Sequence, residues 1–507
     1  MTHFNDIIKT ANFLFAVFFV SQIWSQKYPI VLLPGSQKID YNKKTGEHRL
    51  SGTVNFTYRG NTMYCDSASY NEKSQTIKAY GNVHVQKEDI NLYCDSFYYK
   101  TSIKYAKLWG HVRIRDSEYK ISTDSIDYDA KNGKAIYRNF GRIESISSSE
   151  KISSKTGYFY PETKNVAFGG KVKYSNGGLT MTTDTLRFNY SKQIAYFFGS
   201  TFIKNDSVTI KCKRGWYDIK KERAQLFKGV EVLKQELSIH TDTLYYDAKI
   251  NEFKAKGNAK YIDYKEEITI TGRHLFSSDI LKLAYASGNA SAIKVIKEDT
   301  LVIQSDSIKL FKDSLLNIRE LKAFKDVKIW YGKISGKSDS SHYSIDEKLV
   351  KLRREPIIWM ANTEMKGDSM NLYVNDSIID STLILGNSTV IMEVDSGKYY
   401  NQVSGKTIHA YFSNDELTKI DVKGNAWTIF YPVDEQKKDT LVSIKRYGMN
   451  RLFASELRIY LEKEEVHKIT YFDKPDGIFY PIDKIDEKER WIKGFSWNPH
   501  LRPKRTN

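Results

Sequence analysis

The chain has 507 residues, of which 40% are hydrophobic and 13% aromatic, with only nine prolines. This composition excludes a disordered chain and supplies enough apolar material for a large folded structure. The net charge of +17 favours an anionic partner, such as nucleic acid, a membrane surface or a phosphorylated glycolipid, although a solvated, lysine-rich strand face accounts for the charge equally well.

The amino terminus has the form of a secretory signal peptide. Lys9 precedes an apolar run from Phe13 to Val20, and small and polar residues follow through Gln26. Because the run is too short for a comfortable transmembrane helix, residues 1–26 are predicted to be a signal peptide, with a retained membrane anchor as the alternative.

A repeated unit occupies most of the chain that follows. One landmark is an Asp followed by Ser or Thr, which occurs at Asp66, Asp95, Asp124, Asp184, Asp242, Asp306, Asp339 and Asp368. The other is a glycine that returns every 28 to 31 residues, at Gly52, Gly81, Gly110, Gly141, Gly170, Gly199, Gly229, Gly257 and Gly288. Two columns with one period predict a single elongated body built by stacking, rather than several globular domains.

Alternating apolar and polar residues predict that each unit consists of strands. Ile77, Ala79, Val83 and Val85 share one face of such a strand, with polar residues between most of them. A period of two is typical of half-buried strands, so the predicted fold class is all-β. The segment 312–325 also fits a helix, but its place in the repeat favours a strand.

Each Asp marks a corner. Apolar residues stand three positions before it and two after it, as Ile121 and Ile126 do around Asp124. A regular strand sends residues five apart to opposite faces, so a one-residue bulge or a sharp bend at the Asp is predicted. We interpret the Asp column as structural and expect it to face water, because stacked carboxylates repel each other in a dry interior.

Small residues accompany the corners. The glycine column predicts bulges or crowded backbone, and room for a ligand is the alternative. Cys65, Cys94 and Cys212 each precede the Asp or the Lys that replaces it, so we expect small, buried packing residues. A Cys65–Cys94 disulfide in an oxidising compartment is left open.

The repeat loosens in the later part of the chain, where Asp326 and Pro356 stand at positions expected to be glycine. We therefore divide the body into regular repeats at 27–310, a degenerate continuation at 311–482, and a basic, aromatic tail at 483–507. This tail is expected either to be flexible or to dock a partner.

The sequence offers no convincing catalytic or metal-binding constellation. The ten histidines are scattered, and no HExxH, GxSxG, Walker or CxxC motif occurs. The Asp residues come once per repeat, whereas the carboxylates of a glycosidase form a single pair. A non-enzymatic protein without a cofactor or metal is predicted.

The repeat resembles the OstA-like family of lipopolysaccharide-transport proteins, which includes the LptA-type periplasmic bridge protein and the soluble part of the outer-membrane translocon. The similar motifs are the strands Gly81-Asn82-Val83, Gly257-Asn258-Ala259 and Gly288-Asn289-Ala290, and the corners Thr123-Asp124-Ser125, Thr183-Asp184-Thr185 and Thr241-Asp242-Thr243. The resemblance covers about Ile30 to Ile303, and reaches Phe430 more loosely. The chain is longer than a simple bridge protein and lacks the translocon barrel, so the resemblance does not assign its step in the pathway.

This resemblance implies an elongated antiparallel β-jellyroll, folded over into an open trough that holds lipid acyl chains. Strand alternation then selects the residues expected to line the trough, which are Val83, Val85, Phe97, Val112, Ile114, Ile126, Leu186, Phe188 and Leu244.

The resemblance also implies partners and a compartment. The cargo is expected to be lipopolysaccharide, carried across the periplasm, and the protein to be periplasmic or peripheral to the outer membrane. Other transport proteins, joined head to tail by strand pairing, and the outer-membrane translocon are the expected protein partners, and nucleic acid is not. The alternatives are a structural or adhesive cell-surface β-solenoid without cargo and a polysaccharide-degrading enzyme.

Overall fold

The computed structural model describes residues 30–505, apart from 59, 130, 161, 162, 164, 190, 235, 266, 297, 298, 376, 377, 414, 415, 439, 440, 463 and 464. The predicted signal peptide, residues 1–26, lies outside the described residues. The chain divides into two compact units, Met1–Lys249 and Ile250–Asn507. Within the described residues, no helix has the length and apolar character needed to span a membrane.

The first unit is made of strands, with a single turn of 3₁₀ helix at Thr101–Ile103. The strands are β1 (Val31–Leu32), β2 (Ser36–Asn42), β3 (Glu47–Tyr58), β4 (Asn61–Asn71), β5 (Thr76–Lys87), β6 (Ile90–Lys100), β7 (Tyr105–Arg115), β8 (Tyr119–Asp129), β9 (Lys134–Tyr137), β10 (Gly141–Ser145), β11 (Lys151–Ser154), β12 (Thr156–Tyr160), β13 (Asn165–Asn176), β14 (Leu179–Asn189), β15 (Ile194–Lys204), β16 (Val208–Asp218), β17 (Arg223–Lys234) and β18 (Leu237–Asp247).

Sequential strands of this unit pair in antiparallel fashion, as β4 does with β5 and β5 with β6. One repeat is therefore two strands, an Asp strand followed by a glycine strand. The repeat containing residues 134–160 is split into four short strands, β9 to β12, which still pair in antiparallel register with β8 and β13. The prediction of an all-β fold built from repeats is confirmed, and the antiparallel pairing agrees with the jellyroll implied by the resemblance.

A β-bulge interrupts most of the long strand pairs near their middle. Between β5 and β6, Gly81 and Asn82 stand opposite the single residue Asp95. Both residues of the bulge have positive φ, 72° for Gly81 and 47° for Asn82. The extra residue thus lies on the glycine strand, opposite the Asp. As predicted, Ile121 and Ile126 are both buried although they are five positions apart.

The Asp and glycine columns meet across these bulges. A Cβ on Gly81 would stand 2.3 Å from Asp66 Oδ2, so the carboxylate of one strand occupies the space that the next strand leaves by having no side chain. Asn82 Nδ2 donates to the same oxygen at 2.9 Å, and His111 Nδ1 lies 2.8 Å from Asp95 Oδ2 in the next copy. Seven of the eight Asp side chains are exposed and one is half-buried, which supports the structural interpretation of this column.

The residue before each Asp is small. Hydroxyl residues at this position reach the carbonyl two positions on, as Ser305 Oγ does by donating to the Ser307 oxygen at 2.9 Å. Cys65, Cys94 and Cys212 take this place elsewhere; all three are buried and unbonded. Because β5 separates β4 from β6, Cys65 and Cys94 stand roughly 10 Å apart, too far for a disulfide.

The second unit continues with longer strands. These are β19 (Glu252–Asp263), β20 (Ile268–Ser278), β21 (Leu283–Ile296), β22 (Asp299–Lys312), β23 (Ile318–Tyr331), β24 (Ile334–Ser344), β25 (Leu349–Arg353), β26 (Ile357–Met360), β27 (Thr363–Lys366), β28 (Ser369–Asn375), β29 (Ile378–Val394), β30 (Tyr399–Ser413), β31 (Glu416–Phe430), β32 (Val433–Lys438), β33 (Leu441–Arg446), β34 (Gly448–Glu462), β35 (Glu465–Phe472) and β36 (Asp476–Pro481). Short 3₁₀ helices follow at Ile482–Lys484, Glu487–Arg490 and Pro499–Leu501.

The repeat persists here even at positions where its glycine is missing. Lys325 and Asp326 both have positive φ, as do Arg354 and Glu355, so the bulge is kept where the sequence has no glycine. The segment 312–325, which also fitted a helix pattern, contains a turn and the start of β23, in agreement with its interpretation as strand. One side of this unit carries an apolar core that extends from β24 to β34.

The carboxy-terminal segment, residues 482–505, is hydrogen-bonded to the second unit. It runs across the other side of the second unit, along a row of residues that face each other from strand to strand, and we call it the strap. From its end backwards, the strap bonds to Trp330, Ser335, Glu364 and Gln402. Both faces of the sheet are therefore covered where the strap lies.

Candidate functional site

The inward face of the first unit, meaning the buried side of its sheet, is the candidate site. All nine predicted lining residues lie on it. Seven are at most 4% exposed, namely Val83, Val112, Ile114, Ile126, Leu186, Phe188 and Leu244. Val85 and Phe97 are half-buried. The unit contains no second layer among its described elements, so the sheet must fold over and cover its own apolar face.

The centre of this face is dry and closely packed. Leu186 of β14 pairs with Phe168 of β13 on one side and with Phe197 of β15 on the other. Their relative exposures are 0%, 3% and 1%. Phe168, Phe197 and Leu108 were not among the predicted lining residues, although the period-two alternation of their strands would have selected them. In this state the inward face is closed to solvent along these strands.

Tyr137 marks the most crowded point of the inward face. A Cβ on Gly141 or Gly157 would fall 2.5 Å and 2.3 Å from the Tyr137 ring, so both glycines make room for it. The Tyr137 hydroxyl lies 2.6 Å from Ser154 Oγ, and burial raises the pKa of Tyr137 to about 12. The ring is 1% exposed and fills the place where the regular bulge is lost. Sequence reasoning missed it because β9–β12 depart from the repeat.

The inward face also contains the three thiols. Burial raises the pKa of Cys65 and of Cys212 to about 11, and that of Cys94 to about 12. The thiols therefore stay protonated at neutral pH and are poor nucleophiles in the closed state. They sit beside the line of bulges, and their exposure would report any opening of this face.

The outward face of the same strands is polar, basic and aromatic. Tyr64, His84 and Tyr93 form a stacked row on β4, β5 and β6, with ring centroids 5.6 Å and 4.4 Å apart. Among the described residues, no group of three or more His, Cys, Asp or Glu side chains could hold a metal ion. The strands thus present an apolar inward face and a basic, aromatic outward face on opposite sides of one sheet.

Comparison with known proteins supports the resemblance seen in the sequence. Residues 30–184 match the family model described as OstA-like protein. This segment is similar to the OstA-like family. It runs from the start of the described chain into β14, and therefore contains the first six lining residues, Val83 to Ile126.

The chain is also similar to solved structures. One solved structure is LptH, the LptA-homologous periplasmic component of the conserved lipopolysaccharide transport device from Pseudomonas aeruginosa. It is 12% identical over 22% of this chain and 84% of its own, with a TM-score of 0.21. No curated protein matches the chain.

Proposed function

We propose that the protein is a non-enzymatic carrier that holds the acyl chains of lipopolysaccharide on its inward face. The observation that carries this proposal is a continuous apolar face, built from equivalent positions of successive repeats, in a chain whose residues 30–184 are OstA-like. Each CH₂ group moved out of water contributes about 0.8 kcal/mol, so an acyl chain needs no covalent chemistry to be held. Equivalent sites along one axis favour sliding over capture at a single point.

Loading requires the closed face to open. Acyl chains that enter would replace the contacts that cover side chains such as Leu186, Phe168 and Phe197 by contacts of the same chemical kind, so the hydrophobic free energy is largely conserved. The bulges provide the natural hinge, because they bend successive strands at equivalent positions. Opening would expose the sides of Cys65, Cys94 and Cys212.

The setting that follows from this proposal is the periplasm, on a route to the outer membrane. Partner transport proteins would add strands to a free sheet edge, and the translocon would receive the cargo. Among the described pairings, β2 is bonded only to β3, so its outer edge offers backbone donors and acceptors to a partner strand.

The test is photo-crosslinking in cells at paired inward and outward positions. A crosslinker at Ile126 or Phe97 is expected to capture lipopolysaccharide, while Ser125 and Tyr98, their outward neighbours in the same strands, are not. The proposal would be contradicted if crosslinkers at Ile126, Phe97 and Leu186 all failed to capture lipopolysaccharide in protein that is folded and exported.

A structural sheet without cargo is the second candidate. The observation in its favour is the dry packing around Leu186, which is 0% exposed. A sheet without cargo predicts that the inward positions do not crosslink to lipopolysaccharide and that lipopolysaccharide does not change the reactivity of the buried thiols. The parallel form of this alternative, a β-solenoid, conflicts with the antiparallel pairing of the described strands.

A further inference from the structure

The outward face of the first unit contains a groove that the proposed carrier function does not use. It has a volume of about 880 Å³ and lies across β12, β13, β14 and β15. The groove lies on the side of the sheet opposite to the proposed acyl-binding face. The outward residues that line it alternate along their strands with the buried Phe168, Leu186 and Phe188, so they point to the other side.

The groove results from the sizes of side chains that face each other across four strands. Tyr158 and Tyr160 of β12 form one wall, and Tyr196 and Phe198 of β15 form the other. Between them the floor consists of small residues, Ala167, Gly169 and Thr185. Because the walls are three strand spacings apart, they stand roughly 14 Å from each other.

Positive charge stands inside and beside the groove. Arg187 of β14 is exposed in it, and its guanidinium carbon lies 5.4 Å from the centroid of the Phe198 ring. Within the described part of the chain, Arg187 makes no ion pair. Lys134 Nζ lies 5.3 Å and 5.6 Å from the Tyr158 and Tyr160 rings, which places a second cation against the opposite wall.

Amide groups line one end of the groove. Asn165 and Asn189 face each other across β13 and β14, with Asn189 Nδ2 donating to Asn165 Oδ1 at 2.7 Å. Flat aromatic walls, amide side chains and a cation together match the chemistry of a sugar that carries a negative group. Tyrosine rings stack against the C–H face of a pyranose, amides bond its hydroxyls, and guanidinium binds phosphate or carboxylate.

We propose that this groove binds an anionic oligosaccharide. The wall spacing admits a chain of sugar rings lying along the strands, and Arg187 fixes a phosphate or carboxylate above the small-residue floor. The site operates whether or not acyl chains occupy the inward face, since the two faces are on opposite sides of the sheet.

The test is calorimetric titration of the full chain with three lipid-free probes. The first is the phosphorylated core oligosaccharide released by complete deacylation of lipopolysaccharide, the second is an oligogalacturonate, and the third is a neutral maltooligosaccharide of similar length. Saturable binding of at least one anionic probe is expected, and which of the two binds distinguishes phosphate from carboxylate. Equal binding of the neutral probe, or no saturable binding of either anionic probe, would overturn the proposal.

Two variants locate the site. Arg187→Ala is expected to weaken binding of the anionic probe by about tenfold, the effect of losing one charged hydrogen bond, and Ala167→Trp to abolish binding by filling the floor. Arg113→Ala is the matched control. Arg113 is also exposed on the outward face and faces a tyrosine on the neighbouring strand, but it lies on β7. An equal loss in Arg113→Ala and Arg187→Ala would show unspecific attraction to a basic sheet and refute the groove. Thermal melts of each variant establish that it is folded.

Discussion

At the scale of single residues, Gly81 and Asp66 explain why two columns of the sequence keep the same period. The backbone at Gly81 needs positive φ, and the space beside it holds the Asp66 carboxylate. Gly81→Ala is expected to lower the free energy of unfolding by about 2–4 kcal/mol, through the left-handed backbone and the clash together. Urea unfolding followed by circular dichroism measures the change.

Gly229 is the matched control for this prediction. Its φ is also positive, at 62°, but nothing lies within 4 Å of a Cβ built on it. Gly229→Ala should therefore cost only the backbone term, about 1–2 kcal/mol. Asp66→Ala in the Gly81→Ala background should recover part of the loss. Equal costs at Gly81 and Gly229 would show that the carboxylate does not occupy the space as described.

The cysteines provide a pH-dependent prediction at the same scale. Only the thiolate reacts with iodoacetamide, and burial raises the pKa of Cys65 to about 11. The alkylation rate of the folded protein should therefore reach half of its maximum only near pH 11, whereas the rate of the urea-unfolded chain should reach half of its maximum near the ordinary thiol value of 9.0. Mass spectrometry of the alkylated peptides gives the rate at each cysteine. A half-maximal rate near pH 9 in the folded state would mean that the thiols are open to solvent.

At the scale of elements, the sequence was most informative where its signal is local. The odd spacing of Met181 and Leu186 around Asp184 is enough to require a bend, and both residues are buried as that requires. The pattern could not say which strand carries the extra residue, because a bulge is a relation between two strands. That information lies in the pairing of the Asp with its glycine neighbour, 15 residues later in the chain.

The strap shows what local patterns cannot reveal. Trp330 donates to the Pro503 carbonyl across 173 positions of sequence, and Arg502 donates to Ser335 across 167. A basic, aromatic ending read by itself predicts flexibility or a partner. Its true binding surface is a row of residues drawn from separate strands, which is defined only once the strand register is known.

A single residue tests how the strap is fastened. Asn498 donates from both its backbone nitrogen and its Nδ2 to the buried Glu364 carboxylate, at 2.9 Å each. Asn498→Ala removes the side-chain bond and leaves a carboxylate that is 1% exposed with fewer donors, so we expect a loss of about 1–3 kcal/mol. Hydrogen exchange should show faster exchange in residues 482–505 before the sheet is affected.

Ser496→Ala is the control for the strap prediction. It removes an acceptor from Lys366 Nζ at 2.7 Å and from Asn498 Nδ2 at 3.2 Å, but Glu364 keeps both of its bonds from Asn498, so the effect should be below about 1 kcal/mol. Should Asn498→Ala leave exchange in the strap unchanged, the Glu364 contact would not be what holds this segment in place.

At the scale of the whole molecule, the sequence predicts which residues share the inward face but not whether that face is open or closed. Alternation places the nine residues predicted to line a trough on one face, because side-chain direction in a strand has period two. Whether that face is open or closed depends on how one part of the sheet approaches another, and no short pattern records this. The outward groove could not be predicted from the sequence for the same reason. Tyr158 and Tyr196 become its opposite walls only through the register of three strand pairs.

The repeat itself predicts which deletions the molecule tolerates. Cys65-Asp66-Ser67 and Cys94-Asp95-Ser96 are identical, so removing residues 67–95 joins Asp66 to Ser96 without altering the corner. The deletion takes out 29 residues, one Asp strand and one glycine strand, and leaves each later strand in its present direction. We expect a cooperative melt within about 5 °C of the full chain, because each repeat depends mainly on its neighbours.

Removing residues 67–81 is the contrasting deletion, since it takes out one strand instead of two. β6 would then have to run against its present direction, and Asp95 would lose the glycine bulge opposite it. We expect loss of the cooperative transition or a melting temperature lower by more than about 10 °C. If both deletions melted alike, the unit of stability would be the single strand, and the pairing of Asp with glycine strands would not be what sets the period of the chain.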